Sequence, residues 1–228
     1  LTFVLLKISI PTFKRIFPAI PSKRGMHRIV KPSSGGISFV LIYSFLALYQ
    51  GFYLPLLAIP MSIVGLIDDK FNISKLARLA FQVSTLFIII LYLRNDTGNL
   101  AAQFSNYGFL GYFTLLIFGT AVINFINFMD GIDGLISGSM IIIFLTLNEQ
   151  VHYLLPIIGT LTAFLYFNWY PSKIFMGDTG SLYLGTYLSS LMFSSDGLTN
   201  NFKIILLCSP LFLDALICII RRFINKKN

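Results

Sequence analysis

Charge is what this chain has least of. Only 11% of its 228 residues are Asp, Glu, Lys or Arg, while 56% are hydrophobic. Soluble domains carry about 25% charged residues, so this chain has too little polar surface to meet water as a globular domain. Acidic residues are scarcer still, nine against seventeen basic ones. The net charge of +8 does not make a nucleic-acid patch, because the basic residues fall in short loops between apolar runs, as membrane orientation signals do. No nucleic-acid partner is expected. The two cysteines, Cys208 and Cys218, share one apolar run. Ten residues apart on a helix they stand about 15 Å apart, too far for a disulfide. Of the two histidines, His27 stands alone and His152 falls away from every motif described below. The chain starts at Leu1, and its first apolar stretch, Leu1 to Ile10, contains Lys7 and precedes the basic stretch. That order excludes a signal peptide. It reads as the tail of a cut helix, and the chain as a piece truncated at both ends.

What is present is a series of apolar runs of membrane-spanning character. After the partial first helix and a polar, basic loop from Pro11 to Gly36 come Ile37–Tyr53, Leu54–Ile67, Leu76–Leu93, Phe109–Met129, Leu135–Leu147, Tyr153–Trp169, Ser181–Phe193 and Phe202–Ile220. The reading is all-α. It is a polytopic transmembrane helix bundle of about eight full spans plus a partial one, forming a single domain over residues 1–228 in a lipid bilayer. Alternating sides along the chain puts every Lys and Arg except Lys7, Arg94 and Lys203 on one face, 14 of 17. The positive-inside rule makes that face cytoplasmic. Asp68, Asp69, Asp130, Asp133 and Asp178 took no part in building this topology, and all five land on the same face. A carboxylate at the hydrocarbon boundary is costly unless something charged binds it. Five together predict a shared cytoplasmic-face site for a metal ion and anions.

Four strings carry the chemistry. In Gly65-Leu66-Ile67-Asp68-Asp69-Lys70, adjacent carboxylates suit Mg²⁺ or the deprotonation of a phosphate or hydroxyl; the plainer reading is a solvated helix end partnered by Lys70 and Lys75. Asn124, Asn127 and Asp130 recur every three residues and share a helix face, followed by Gly131-Ile132-Asp133-Gly134. The alternative there is interhelical hydrogen bonding by asparagine, with Gly134 and Gly138 as a small-residue packing pair. The string lacks the closing Glu of an EF-hand, and the chain lacks the Asp-Gly followed by Ala-Arg of phospholipid synthases. Asn168-Trp169-Tyr170-Pro171-Ser172-Lys173-Ile174-Phe175-Met176-Gly177-Asp178-Thr179-Gly180-Ser181 offers backbone N–H groups for an anion where a helix begins. Its plainer reading makes Asp178 or Ser181 the N-cap of that helix. The fourth string, His27-Arg28-Ile29-Val30-Lys31-Pro32-Ser33-Ser34-Gly35-Gly36, suits phosphate at Lys31. For Arg24 and Arg28, orientation and headgroup contact suffice.

Together, and in this order, the four strings resemble those of the polyprenyl-phosphate N-acetylhexosamine-1-phosphate transferases, glycosyltransferase family 4. The wording Asn127-Phe128-Met129-Asp130-Gly131-Ile132-Asp133-Gly134 with Phe167-Asn168-Trp169 is more similar to the initiators of O-antigen lipopolysaccharide and enterobacterial common antigen than to the phospho-MurNAc-pentapeptide transferase of peptidoglycan. The resemblance implies a Mg²⁺-dependent enzyme of the bacterial inner membrane. It would transfer N-acetylamino-sugar 1-phosphate from a UDP-sugar, such as UDP-GlcNAc, to polyprenyl phosphate, usually undecaprenyl phosphate, and release UMP in cell-wall and envelope biogenesis. It implies roles as well: Asp68 and Asp69 activate or position the lipid phosphate, and Asp178 holds Mg²⁺. Asn124, Asn127, Asp130 and Asp133 hold the nucleotide sugar and metal shell; Asn168 and Phe175 line a uridine pocket, and Lys31 meets phosphate or uracil. A homodimer is compatible with it. The resemblance further implies ten or eleven helices and a histidine-rich loop beyond Arg221-Arg222, where this chain stops at Asn228. A transporter coupled to intramembrane carboxylates is the competing class; Asp214, inside the last run, suits it better than the other acids do. A non-catalytic membrane scaffold would explain the spans and leave the aspartates unexplained.

Overall fold

The computed structural model describes residues 1–20, 29–96, 98–147 and 151–224. The readings placed on Lys23, Arg24, His27, Arg28, Lys226 and Lys227 lie outside these residues. Among the described residues the fold is all-α apart from one antiparallel pair of two-residue strands, Pro18–Ala19 with Lys31–Pro32. Helix α1 runs Thr2–Ile16, α2 Gly36–Tyr49, α3 Ile59–Phe71, α4 Lys75–Leu93, α5 Leu100–Ser105 and α6 Phe109–Met129. Then follow α7 Leu135–Thr146, α8 Val151–Asn168, α9 Gly177–Ser194 and α10 Gly197–Ile224.

Several bounds differ from the sequence reading, each for a local reason. Helix α1 continues through Pro11 to Ile16 rather than stopping at Ile10. The run expected to start at Leu54 opens with a 3-10 turn, Leu54–Ala58, and the α-helix proper begins at Ile59 with Pro60 in its first turn, where proline's missing N–H is harmless. Helix α3 then passes through Asp68 and Asp69 to Phe71, and Asn72 ends it at φ 49 in the left-handed region. The Asp68 carboxylate accepts the Ile73 N–H through Oδ1 at 2.9 Å, and Ser74 caps α4 by accepting from Ala77 N–H at 3.2 Å. The paired aspartates therefore sit in the last helical turn, pointed by a helix rather than left in a loop.

Helix α9 is the hub. Every residue from Thr179 to Phe193 is buried, and α2, α3, α4 and α6 pack around it. Its apolar run is short because it is studded with small and hydroxyl residues. These let neighbouring backbones approach closely. Their hydroxyls are satisfied by the helix's own carbonyls: Thr186 donates to Leu182 O at 2.8 Å, Ser189 to Gly185 O at 2.8 Å and Ser190 to Tyr187 O at 2.7 Å. Outside, the polarity is reversed. Phe87 and Ile88 on α4, Phe113 and Ile117 on α6, and Leu206 and Leu213 on α10 are exposed. Helices α4, α6 and α10 are each long and apolar enough to cross a bilayer. A polar-studded centre inside an exposed apolar belt is the architecture of a membrane protein.

The loops expected on opposite faces do separate. Residues 68–75, 130–134 and 170–180 gather at one end of the bundle, as the contacts below show. At the other end Asn99 bridges to Asp196, and Leu100 N–H donates to Ser195 O at 3.3 Å.

At Gly65, α3 lies directly against the first turn of α9. A Cβ there would run into the backbone of Asp178 and Thr179. Backbone cannot yield as a side-chain tip can. Gly65→Ala should therefore destabilise by about 1–3 kcal/mol and displace the start of α9. Thermal unfolding of the detergent-purified variant measures this; a melting point equal to wild type would mean the helices are not in contact there.

Candidate active site

The N-terminus of α9 gathers four of the five aspartates. Asp69 reaches it from α3. Its Oδ1 accepts the Asp178 N–H at 2.9 Å. Its Oδ2 accepts the Thr179 N–H at 3.3 Å and the hydroxyls of Thr179 at 2.8 Å and Ser34 at 2.7 Å. Four donors use up the acceptor sites of a carboxylate. Asp69 thus caps the first turn of α9 from another helix, at the end where a negative charge is favoured. This changes two expectations. Neither Asp178 nor Ser181 caps the helix: Ser181 donates to Gly177 O at 3.2 Å, and the Asp178 side chain points elsewhere. The hydrogen bonds of Asp69 are all made to Ser34, Asp178 and Thr179. Gly177, at φ +75, makes the approach possible, because a Cβ there would meet Asp69 Oδ2 and the Ser34 backbone.

The Asp178 side chain faces α4 and α6. Its Oδ1 accepts from Asn127 Nδ2 at 2.8 Å and its Oδ2 from Arg78 Nη1 at 3.1 Å. Asn127 also donates to Ser181 Oγ at 2.9 Å. Arg78 Nη1 lies 3.2 Å from Asp68 Oδ2 and 3.5 Å from Asn127 Oδ1. Asp130, the C-cap of α6, accepts the backbone N–H of Gly177. Burial pushes its carboxyl well above the usual range, and the negative charges of Asp178 and Asp69 push it further. Asp68, Asp69, Asp130 and Asp178 therefore form one cluster.

Asp133 belongs to a second group at the same end. It accepts the Ser172 N–H at 2.9 Å and the Ser172 hydroxyl at 2.8 Å. Lys31 Nζ donates to Ser172 Oγ at 2.9 Å, lies 3.8 Å from Asp133 Oδ2, and stands 5.0 Å from the centre of the Phe175 ring. The segment 31–36 joins the two groups by backbone pairing. Phe175 N–H donates to Pro32 O, Gly35 N–H to Phe175 O and Gly36 N–H to Met176 O, each at 2.9 Å. Lys31 and Ser34 thus mark the two ends of one continuous polar wall.

Two of the expected site residues are set back from it. Asn124, one turn deeper on α6, exchanges amide hydrogen bonds with Gln82 of α4 at 3.3 and 3.2 Å and donates to Thr120 O at 2.8 Å. Asn168 is buried. Its Oδ1 accepts from Gly134 N–H at 3.0 Å and Ser137 Oγ at 3.2 Å, and its Nδ2 donates to Ile174 O at 3.0 Å. It braces the loop carrying Asp133 against the segment carrying Phe175. Asp214 is exposed on α10, a poor position for a carboxylate that must gate a transport path.

Sequence reasoning missed Arg78, Ser34, Thr179 and Ser172. In the sequence Arg78 reads only as one of the basic residues of the cytoplasmic face. Ser74 is a good N-cap, which would start the helix at Lys75 and place Arg78 and Gln82 four residues apart on one face of it. That spacing was the available signal.

Among the described residues no three acidic, histidine or cysteine side chains form a ready-made metal cage. Mg²⁺ does not need one, since it usually takes one or two carboxylates and completes its shell with water and substrate phosphates. Asp68 Oδ2, Asp178 Oδ2 and Asn127 Oδ1 converge on one point, and Asp68 Oδ2 is buried without a hydrogen-bond partner. These residues fit such an ion.

The family model of glycosyl transferase family 4 matches residues 51–196, a stretch that holds all five aspartates. A Bacillus subtilis protein named as a probable undecaprenyl-phosphate N-acetylglucosaminyl 1-phosphate transferase is 30% identical over 251 residues, covering 95% of this chain and 68% of that protein. A Kosmotoga olearia phospho-N-acetylmuramoyl-pentapeptide-transferase is 32% identical over 190 residues, covering 73% of this chain and 60% of its own length. A Thermotoga maritima undecaprenyl-phosphate alpha-N-acetylglucosaminyl 1-phosphate transferase is 28% identical over 228 residues, covering 99% and 73%. The chain thus spans between 60% and 73% of the length of these relatives.

Proposed function

The chain belongs to glycosyl transferase family 4, and from that premise we propose that it transfers an N-acetylamino-sugar 1-phosphate from a UDP-sugar to undecaprenyl phosphate. The observation that carries this reading is the convergence of Asp68, Asp130, Asp178, Asn127 and Arg78 at one end of a bundle with an apolar exterior. A soluble anionic donor and a lipid-anchored anionic acceptor can meet only at such an end. The excess of basic residues on that face supports a cytoplasmic site in a protein of the bacterial inner membrane.

In the reaction, an oxygen of the lipid phosphate attacks the phosphorus that bears the sugar. A new P–O bond forms, the bond to the bridging oxygen breaks, and UMP leaves with the electron pair. The products are polyprenyl-diphosphate-sugar and UMP. Both reactants are anionic, so the site must supply positive charge and alignment more than covalent chemistry. Asp68 and Asp178, with the Asn127 carbonyl, would hold Mg²⁺, which when bound neutralises charge developing on the phosphates. Arg78 supplies a further cation beside them. Asp69 keeps the N-terminus of α9, and with it Asp178, in place. Lys31, packed on the Phe175 ring and oriented through Ser172 and Asp133, presents its ammonium to a diphosphate or uracil. Asn168 fixes the distance between the loops bearing Asp133 and Phe175.

The test uses membranes containing the protein, undecaprenyl phosphate and a panel of UDP-sugars labelled in both the sugar and the sugar-proximal phosphorus. The expected lipid product carries both labels in equal amount, with UMP released. A lipid product that carries the sugar but not the phosphorus label would make this a simple glycosyl transferase. No lipid product from any UDP-sugar would sink the assignment.

A further inference from the structure

Arg78 enters the aspartate cluster from the first turn of α4. Its Nη1 stands 3.1 Å from Asp178 Oδ2, 3.2 Å from Asp68 Oδ2 and 3.5 Å from Asn127 Oδ1. Those oxygens belong to α9, α3 and α6, so one nitrogen lies at the meeting point of three elements. A guanidinium binds carboxylates best in a plane, through two parallel N–H···O bonds. Arg78 achieves this with neither aspartate, touching both through the same nitrogen. Asp68 Oδ2 stays without a hydrogen bond although the cation is 3.2 Å away. Oxygens that converge on a point, rather than lying in a plane, suit a small spherical cation. The arginine meets their charge and misses their geometry.

We propose that Arg78 is the internal occupant of the cation site: in the metal-free protein its head group fills the position between Asp68, Asp178 and Asn127, and a divalent cation and this guanidinium exclude each other there. The proposal rests on the reading of these residues as a cation site. Its physical reason is the proximity of the acids. The Asp68 and Asp178 carboxylates lie 3.2 and 3.1 Å from the same Arg78 nitrogen, and the Asp68 side chain is only 8% exposed. Two carboxylates this close repel each other unless a positive charge sits between them. Arg78 places its guanidinium there and ties α3, α4 and α9 together. Its own side chain is 23% exposed and that of Asp178 31%, so water reaches the head group and an ion can displace it. The displaced guanidinium stays tethered beside the site and faces whatever anion arrives with the metal. Because the ion must evict an occupant, its apparent affinity falls by the fraction of molecules in which the site is open. Arg78 is thus a positioning residue that sets when the cation binds.

The experiment measures Mn²⁺ binding to the detergent-purified protein at pH 8, without nucleotide sugar, from the electron paramagnetic resonance signal of the free ion. Wild type, Arg78→Lys, Arg78→Gln and Asp178→Asn are compared. Removing the occupant should tighten binding roughly tenfold in Arg78→Gln, as expected if about a tenth of wild-type molecules have the site open. Arg78→Lys decides between occupancy and long-range repulsion. Lysine keeps the charge, but its nitrogen stops a bond short of the meeting point. Occupancy predicts several-fold tighter binding in Arg78→Lys than in wild type. Equal affinity for these two would overturn the proposal while leaving the cation site intact, since Mn²⁺ would still bind and Asp178→Asn would still weaken it. Failure of Mn²⁺ to bind wild type, or undiminished binding by Asp178→Asn, would overturn the cation-site reading and the proposal together. If Arg78→Gln does not fold, Arg78→Lys alone carries the comparison. The melting point adds a readout independent of affinity: Mn²⁺ should raise it more in either Arg78 variant than in wild type.

Discussion

Asp178→Asn is expected to abolish sugar-phosphate transfer while leaving the protein folded. The carboxylate touches Asn127 through one oxygen and Arg78 through the other. An asparagine keeps its oxygen on Asn127 Nδ2 and turns its amide toward Arg78. The guanidinium loses one partner and keeps Asp68 at 3.2 Å. The side chain is 31% exposed, so water can replace part of what is lost, and the effect on stability stays within about 1 kcal/mol. The chemistry has no such substitute. A cation held by one carboxylate instead of two binds more weakly, and its neutralising charge is worth several kcal/mol in the transition state, so transfer should fall by about a hundredfold or more. The capping reading would have predicted little change in either quantity, because Asn caps about as well as Asp. That alternative is removed by the geometry, which gives the cap to Asp69. Turnover and melting temperature measured on the same preparation check the expectation. Near-normal turnover of the Asn variant at saturating Mg²⁺ would mean that Asp178 holds no essential ion.

Much of this arrangement is visible in the sequence, and what is hidden has a common cause. Helix α6 begins and ends at the residues where its apolar run does, Phe109 and Met129, because nothing within the run competes with the 3.6-residue pattern. Helix α9 starts four residues earlier than its apolar run, at Gly177. The hidden turn is Gly177-Asp178-Thr179-Gly180, which reads as a loop by composition and becomes helix because Asp69 satisfies its free N–H groups from 109 and 110 positions away. The gathering of aspartates at one end follows from counting spans and needs no contacts. Which aspartate does what depends entirely on contacts across elements. Asp68 and Asp69 are neighbours in the chain, yet one faces Arg78 and the other the cap of α9, since adjacent residues on a helix point about 100° apart. Asn168 shows the same limit. The motif marks it as part of a binding wall, while packing makes it the brace behind that wall. Spacing reports neighbours along a helix face, and it is silent on what another helix brings to that face.

The division between Asp68 and Asp69 has its sharpest consequence at Asp69. Asp69→Ala should lose both transfer and folded protein, unlike Asp178→Asn. Its carboxylate accepts four hydrogen bonds, from two backbone N–H groups and the hydroxyls of Thr179 and Ser34. The hydroxyls can rotate to other partners; the N–H groups of Asp178 and Thr179 cannot. An unsatisfied buried donor costs about 1–3 kcal/mol, and the lost anion at a helix N-terminus adds about 0.3–2 kcal/mol. Alanine leaves two such donors and also removes the tie from Ser34 that anchors segment 31–36, so a loss of several kcal/mol is expected. Asparagine should fall between. Its oxygen can serve the Asp178 N–H, but its amide then faces the Thr179 N–H, donor against donor. The order of melting temperatures should therefore be wild type, then Asn, then Ala, with transfer falling in parallel because Asp178 moves with the start of α9. Serine at position 69 would be too short to reach across from α3, so it should behave like alanine although it is a good cap within its own chain segment. A purely catalytic Asp69 predicts the opposite pattern, with all three variants inactive and melting like wild type. Circular dichroism melts in detergent, run beside the transfer assay, separate the two, and unchanged melting of Asp69→Ala would show that the cap contributes nothing to the fold.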